Sequence, residues 1–66
     1  MNTYTLQILQ TDGENPPTLL GYSTYRAPAA NANADEQAQD MAEEQAARFA
    51  TKTGLSNIVG LSVKDE

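Results

Sequence analysis

One helical pattern dominates this chain and restricts what it can fold into. From Asn33 to Gly54 apolar and small residues recur at the 3.6-residue period, in a chain of 66 residues. Asn33 with Glu36 three positions later approximates a capping box, with Asn in place of the usual Ser or Thr, and Gly54 supplies a natural C′ stop. The spacing predicts a helix from Ala34 to Lys52, about 28 Å long at a rise of about 1.5 Å per residue. A strand of about eight residues spans a similar distance, so this helix can cover a small sheet from end to end. Ala34, Ala38, Met41, Ala42, Gln45 and Phe49 share one side of it, and Phe49 is expected to anchor that side in the core. Glu36, Asp40, Glu43, Glu44 and Ala47 lie opposite.

The remaining segments read as strands. Thr3 to Gln10 alternates Tyr4, Leu6 and Ile8 against Thr5, Gln7 and Leu9. Thr11 to Thr18 contains an Asp12-Gly13 turn signal followed by Pro16 and Pro17, and is expected to be a stiff loop. Leu19 to Arg26 places Leu20, Tyr22 and Thr24 on one face and Leu19, Ser23 and Tyr25 on the other. These two strands should pair as an antiparallel hairpin. Pro28 ends the second strand near Ala27, and Ala27 to Ala32 is a connector. Asn57 to Lys64 alternates Val59, Leu61 and Val63 against Ile58, Gly60 and Ser62. A right-handed crossover through the helix places this last strand beside the first. The expected fold is α+β: a single domain over residues 1–66, ββαβ, with a mixed or antiparallel three-stranded sheet in the order 2-1-3 and one long helix on one face. Nothing in the chain remains to cover the other face.

Composition removes most catalytic chemistry. There is no histidine and no cysteine. Ser23, Ser56 and Ser62 therefore have only carboxylates or lysine as bases, and no nucleophile-elbow pattern surrounds any of them. The Asp40 and Glu44 carboxylates stand one turn apart on an exposed helix side, where nothing desolvates one of them to split their pKa values. Asp12-Gly13-Glu14-Asn15 lacks the spacing of a calcium loop, and zinc or copper sites need the missing His and Cys. The expectation is no enzyme, no catalytic residue, no metal and no cofactor.

Nine acids against four scattered bases give a net charge of −5. Direct nucleic-acid binding needs clustered cations and is not expected. No apolar run is long enough to cross a membrane, and the absence of thiols suits a cytoplasmic location. The large apolar residues are few, so a partner or a second copy of the chain is a natural contributor to stability, and homodimerisation stays open.

Two surfaces are candidates for recognition. Glu36, Asp40, Glu43 and Glu44 form an acidic helix ridge suited to a basic protein groove, although the same charge order stabilises a solvated helix. The second surface is the uncovered sheet face, where Leu9, Leu19, Tyr25 and Ile58 are expected to sit among Thr5, Gln7 and Ser62.

With its hairpin, acidic helix, final strand and lack of catalytic residues, the chain resembles the small acidic ββαβ proteins of phages and mobile elements, a group that includes anti-CRISPR inhibitors. The resemblance covers the whole chain as a pattern and rests on no motif, so no site residue is carried over. It implies a stoichiometric protein-binding inhibitor in the host-cell cytoplasm that occupies the basic, nucleic-acid-binding surface of a host assembly. The alternative expectation is a small structural or assembly component that homo-oligomerises through the uncovered sheet face.

Overall fold

The computed structural model describes residues 2–65. Its elements are β1 (Asn2–Asp12), β2 (Asn15–Ala27), α1 (Ala34–Thr53) and β3 (Ile58–Asp65). The α+β, ββαβ architecture expected from the sequence is present. Both β2 and β3 pair antiparallel with the central strand β1, giving the order β2-β1-β3.

The hairpin is longer and tighter than its proline content suggests. The chain reverses at Gly13 and Glu14, with Gly13 at φ 56° and the Asn15 side-chain Nδ2 donating to the Asp12 carboxylate at 3.3 Å. The expected loop from Thr11 to Thr18 is thus mostly strand. Pro16 and Pro17 are tolerated because β2 is an edge strand and they sit beside an irregularity between Gln10 and Asp12, where a missing ladder donor costs little. A second irregularity makes Leu20 the extra residue, since Ile8 pairs with Gly21 but Leu9 pairs with Leu19. This bulge moves Leu19 off the face of Ser23 and Tyr25 and onto the opposite one.

The helix ends where the sequence places its stop. Gly54 is left-handed at φ 74° and its amide donates to the Ala50 carbonyl at 2.8 Å. The start differs from the expected capping box, for the Asn33 side chain makes no cap hydrogen bond. The Asn31 side chain organises this end instead: its Oδ1 accepts from the Asn33 backbone amide at 3.0 Å, and its Nδ2 donates to the Gln37 Oε1 at 2.7 Å.

The core is assembled from one strand of large residues and an alanine stripe. Tyr4 and Leu6 of β1 pack with the buried Ala27, Ala34, Ala38 and Ala42, and Ala46 continues the buried stripe along the helix. In the two central helix-facing rows β1 carries the bulk and its neighbours stay small: Ser23, Leu6 and Ser62 in one, Gly21, Ile8 and Gly60 in the next. With side chains this short the helix backbone settles close to the sheet, above β1 and β3. Phe49, expected as the anchor, is only half-buried and lies outside the core cluster. The helix is held by its alanines because their small side chains permit approach, and Phe49 falls near the C-terminal end, beyond the buried Tyr4 and Leu6.

The chain is flat and spread. Its radius of gyration is 12.5 Å, against about 11 Å for a compact chain of this length.

Candidate functional site

The face of the sheet turned away from α1 is uncovered, and its composition follows from a single close contact on the other side. A Cβ built on Gly60 would lie 2.1 Å from the Ala42 carbonyl oxygen. Only glycine fits there, so Gly60 faces the helix. Strand alternation then turns Ile58 and Ser62 the same way and sends Val59, Leu61 and Val63 outward. This reverses the expected orientation of β3: Ile58 belongs to the helix side, and the three apolar residues expected inside are 42–44 % exposed.

Hydrogen bonds lock that orientation. The Gln39 carboxamide donates to the Gly60 carbonyl at 2.9 Å and accepts from the Ser62 amide at 2.9 Å. In a strand the carbonyl of one residue and the amide two positions on point the same way, so Gln39 occupies the edge of β3 that faces away from β1. It stands where the backbone of a fourth strand would, and it blocks that edge against further pairing. The Ser23 hydroxyl donates to Gln45 at 2.7 Å and the Tyr25 hydroxyl to Gln37 at 3.3 Å, tying β2 to the other flank of α1. Tyr25 therefore lies on the helix side, its ring stacked on Tyr4 with centroids 6.0 Å apart. Of the four residues expected on the open face, Leu9 and Leu19 are there, while Tyr25 and Ile58 are not.

The open face consists of four rows across β2, β1 and β3. From one end they are Arg26, Thr3 and Asp65; Thr24, Thr5 and Val63; Tyr22, Gln7 and Leu61; Leu19, Leu9 and Val59. Tyr22 is 72 % exposed and Leu19 50 %. The Thr5 hydroxyl donates to the Asp65 carboxylate at 3.2 Å, which holds that carboxylate against the face. Sequence reasoning missed Tyr22, Val59, Leu61 and Val63 as surface residues. The available signal was Gly60: a strand glycine opposite an alanine-lined helix marks close backbone approach and fixes which parity points inward.

Glu36, Asp40, Glu43 and Glu44 are all exposed on α1, and Glu43 borders β3 beside Ile58, Val59 and Gly60. Glu44 pairs with Arg48 at 2.5 Å, and both are well exposed, so the pair contributes little stability. It is the one ion pair among the described residues, leaving Glu36, Asp40 and Glu43 without a cation. Asp35, in the first turn, is engaged internally as acceptor of the Tyr4 hydroxyl. That hydrogen bond, with burial and the carboxylate charge, pushes the Tyr4 phenol up to about 12.

The Ser23 and Ser62 hydroxyls are engaged by glutamines, and among the described residues no group of three acids is placed to hold a metal. No helix among them is long and apolar enough to cross a membrane. No protein-family model, curated protein or solved structure matches the chain.

Proposed function

We propose that the chain is a non-enzymatic protein-binding module that engages its partner through the open sheet face. The observation that carries this reading is the outward column of Val59, Leu61 and Val63 on β3, joined by Leu9, Leu19 and Tyr22 on the same face. Small monomeric domains seldom leave a contiguous apolar surface beside a polar rim unless it is used. Leu61→Asp tests the reading, because Leu61 supports no core residue. The variant should keep its circular-dichroism spectrum while losing association, whether with another protein or with itself. Unchanged association would refute the sheet face as the interface.

The acidic helix supports a second reading, in which Glu36, Asp40 and Glu43, free of cation partners, meet a basic protein surface in the manner of an anti-CRISPR-type inhibitor. Rim charges of this kind act on association rate and partner choice. The two readings are compatible, since the ridge and the open face lie on opposite sides of the molecule.

A further inference from the structure

We infer that the open sheet face is self-complementary and pairs with a second copy of this chain about a two-fold axis running along β1. The inference rests on the reading of that face as a protein interface and adds the identity of what covers it.

Charge placement is the first argument. Arg26 and Asp65 occupy the same row, both flanking Thr3 on the open face, at opposite edges of the sheet. Two strand spacings, about 9–10 Å, separate their backbones. Arg26 has no carboxylate partner among the described residues. A two-fold axis along β1 lays β2 of one copy over β3 of the other while preserving the rows. Arg26 then meets Asp65 of the second copy, and the symmetry makes that pair twice. Facing sheets pack about 10 Å apart, a gap that an arginine and an aspartate span together.

The same operation matches the apolar rows. Tyr22 falls on Leu61 of the second copy, and Leu19 falls on Val59. On the axis Gln7 meets its own copy, and a carboxamide, with donors and an acceptor, can bond to its own kind. The interface is isologous, as two-fold dimers require.

Area gives the second argument. The chain exposes 4625 Å², about 500 Å² more than the roughly 4100 Å² that size scaling gives for a compact chain of this mass. Covering that excess on two copies removes about 1000 Å², at the lower bound for a specific interface. The expected dimer is therefore reversible. Repulsion between two chains of charge −5 does not prevent it, because the layer order helix, sheet, sheet, helix sets the acidic ridges about 30 Å apart, well beyond the Debye length of about 8 Å at physiological salt. The dimer presents one acidic ridge on each outer side.

Sedimentation equilibrium over a concentration series tests the inference, with circular dichroism confirming the fold of each variant and an apolar dye reporting the open face. The wild-type chain should dimerise, and Leu61→Asp should be monomeric. Arg26→Asp and Asp65→Arg should each weaken the dimer at least tenfold by setting like charges against each other. The double exchange should recover most of the loss. A dimer insensitive to Asp65→Arg overturns the proposed axis, as would one formed edge to edge through β2. A wild-type chain that stays monomeric also overturns it; if that monomer binds dye and Leu61→Asp does not, the face still serves a different protein. A monomer whose dye binding ignores Leu61→Asp removes both the dimer and the reading beneath it.

Discussion

Gly60 and Ala42 meet backbone to backbone, with no room for a side chain between them: a Cβ on Gly60 would sit 2.1 Å from the Ala42 carbonyl oxygen and 2.3 Å from its carbon. Gly60→Ala must push α1 off β3. Overpacking of this kind costs about 1–3 kcal/mol or more, a large part of the roughly 3–10 kcal/mol that a domain of this length possesses. A melting temperature within a few degrees of wild type would contradict the close approach.

Leu6 and Phe49 should rank in the opposite order to what their sizes suggest. Leu6 is 1 % exposed at the centre of the sheet, so Leu6→Ala should cost about 2–5 kcal/mol. Phe49 is half-buried at the end of the helix, and Phe49→Ala should cost less than Leu6→Ala. Paired urea titrations read both; a larger loss for Phe49 would place the anchor of the helix at its C-terminal turn.

Gln39→Ala should destabilise by about 1–3 kcal/mol, because it leaves the Gly60 carbonyl and the Ser62 amide without their partner. It also uncovers the edge of β3. Hydrogen exchange should show the Ser62 amide losing protection ahead of the Leu61 amide, and equal loss at both would mean that Gln39 does not cover that edge.

Tyr4 makes stability fall at high pH. A tyrosine in the unfolded chain ionises near 10, whereas in the folded chain the Asp35 hydrogen bond holds Tyr4 up to about 12. Between those values the unfolded state binds fewer protons, so stability decreases as pH rises through the window and the contribution is complete below it. Tyr4→Phe should remove this part of the slope and the late-ionising phenolate absorbance. An unchanged titration in Tyr4→Phe would show that the Asp35 contact does not control the phenol.

Asp40→Lys with Glu43→Lys separates the helix from the sheet as a recognition surface. Both positions are exposed and make no ion pair, so the fold should lose about 0.5 kcal/mol or less from helix electrostatics. Self-association should survive. Binding to a basic protein partner should slow and lose its salt dependence, and a double variant that binds such a partner like wild type across salt concentrations leaves the ridge as a solvated helix side.

Local chemistry by itself determined the element order, the helix stop at Gly54, the inward face of β1 and the acidic outer side of α1. Each depends on neighbours a few residues apart: alternation in Tyr4, Leu6 and Ile8, a left-handed glycine, the 3.6-residue period. The sheet order β2-β1-β3 also followed, because a helix joining β2 to β3 leaves the strand beside β1 as the natural place for β3. Tertiary structure decided which parity of β3 points inward, where the bulge at Leu20 sends Leu19, and whether Asn31 or Asn33 organises the helix start. Alternation states which residues share a face and is silent on which face is buried. Hydrophobicity favoured Val59, Leu61 and Val63 for the interior, yet the approach distance of α1 overruled it. An alanine stripe that brings a helix backbone into contact with a strand admits only glycine at the contact, and Gly60 then dictates the orientation of every other residue in β3.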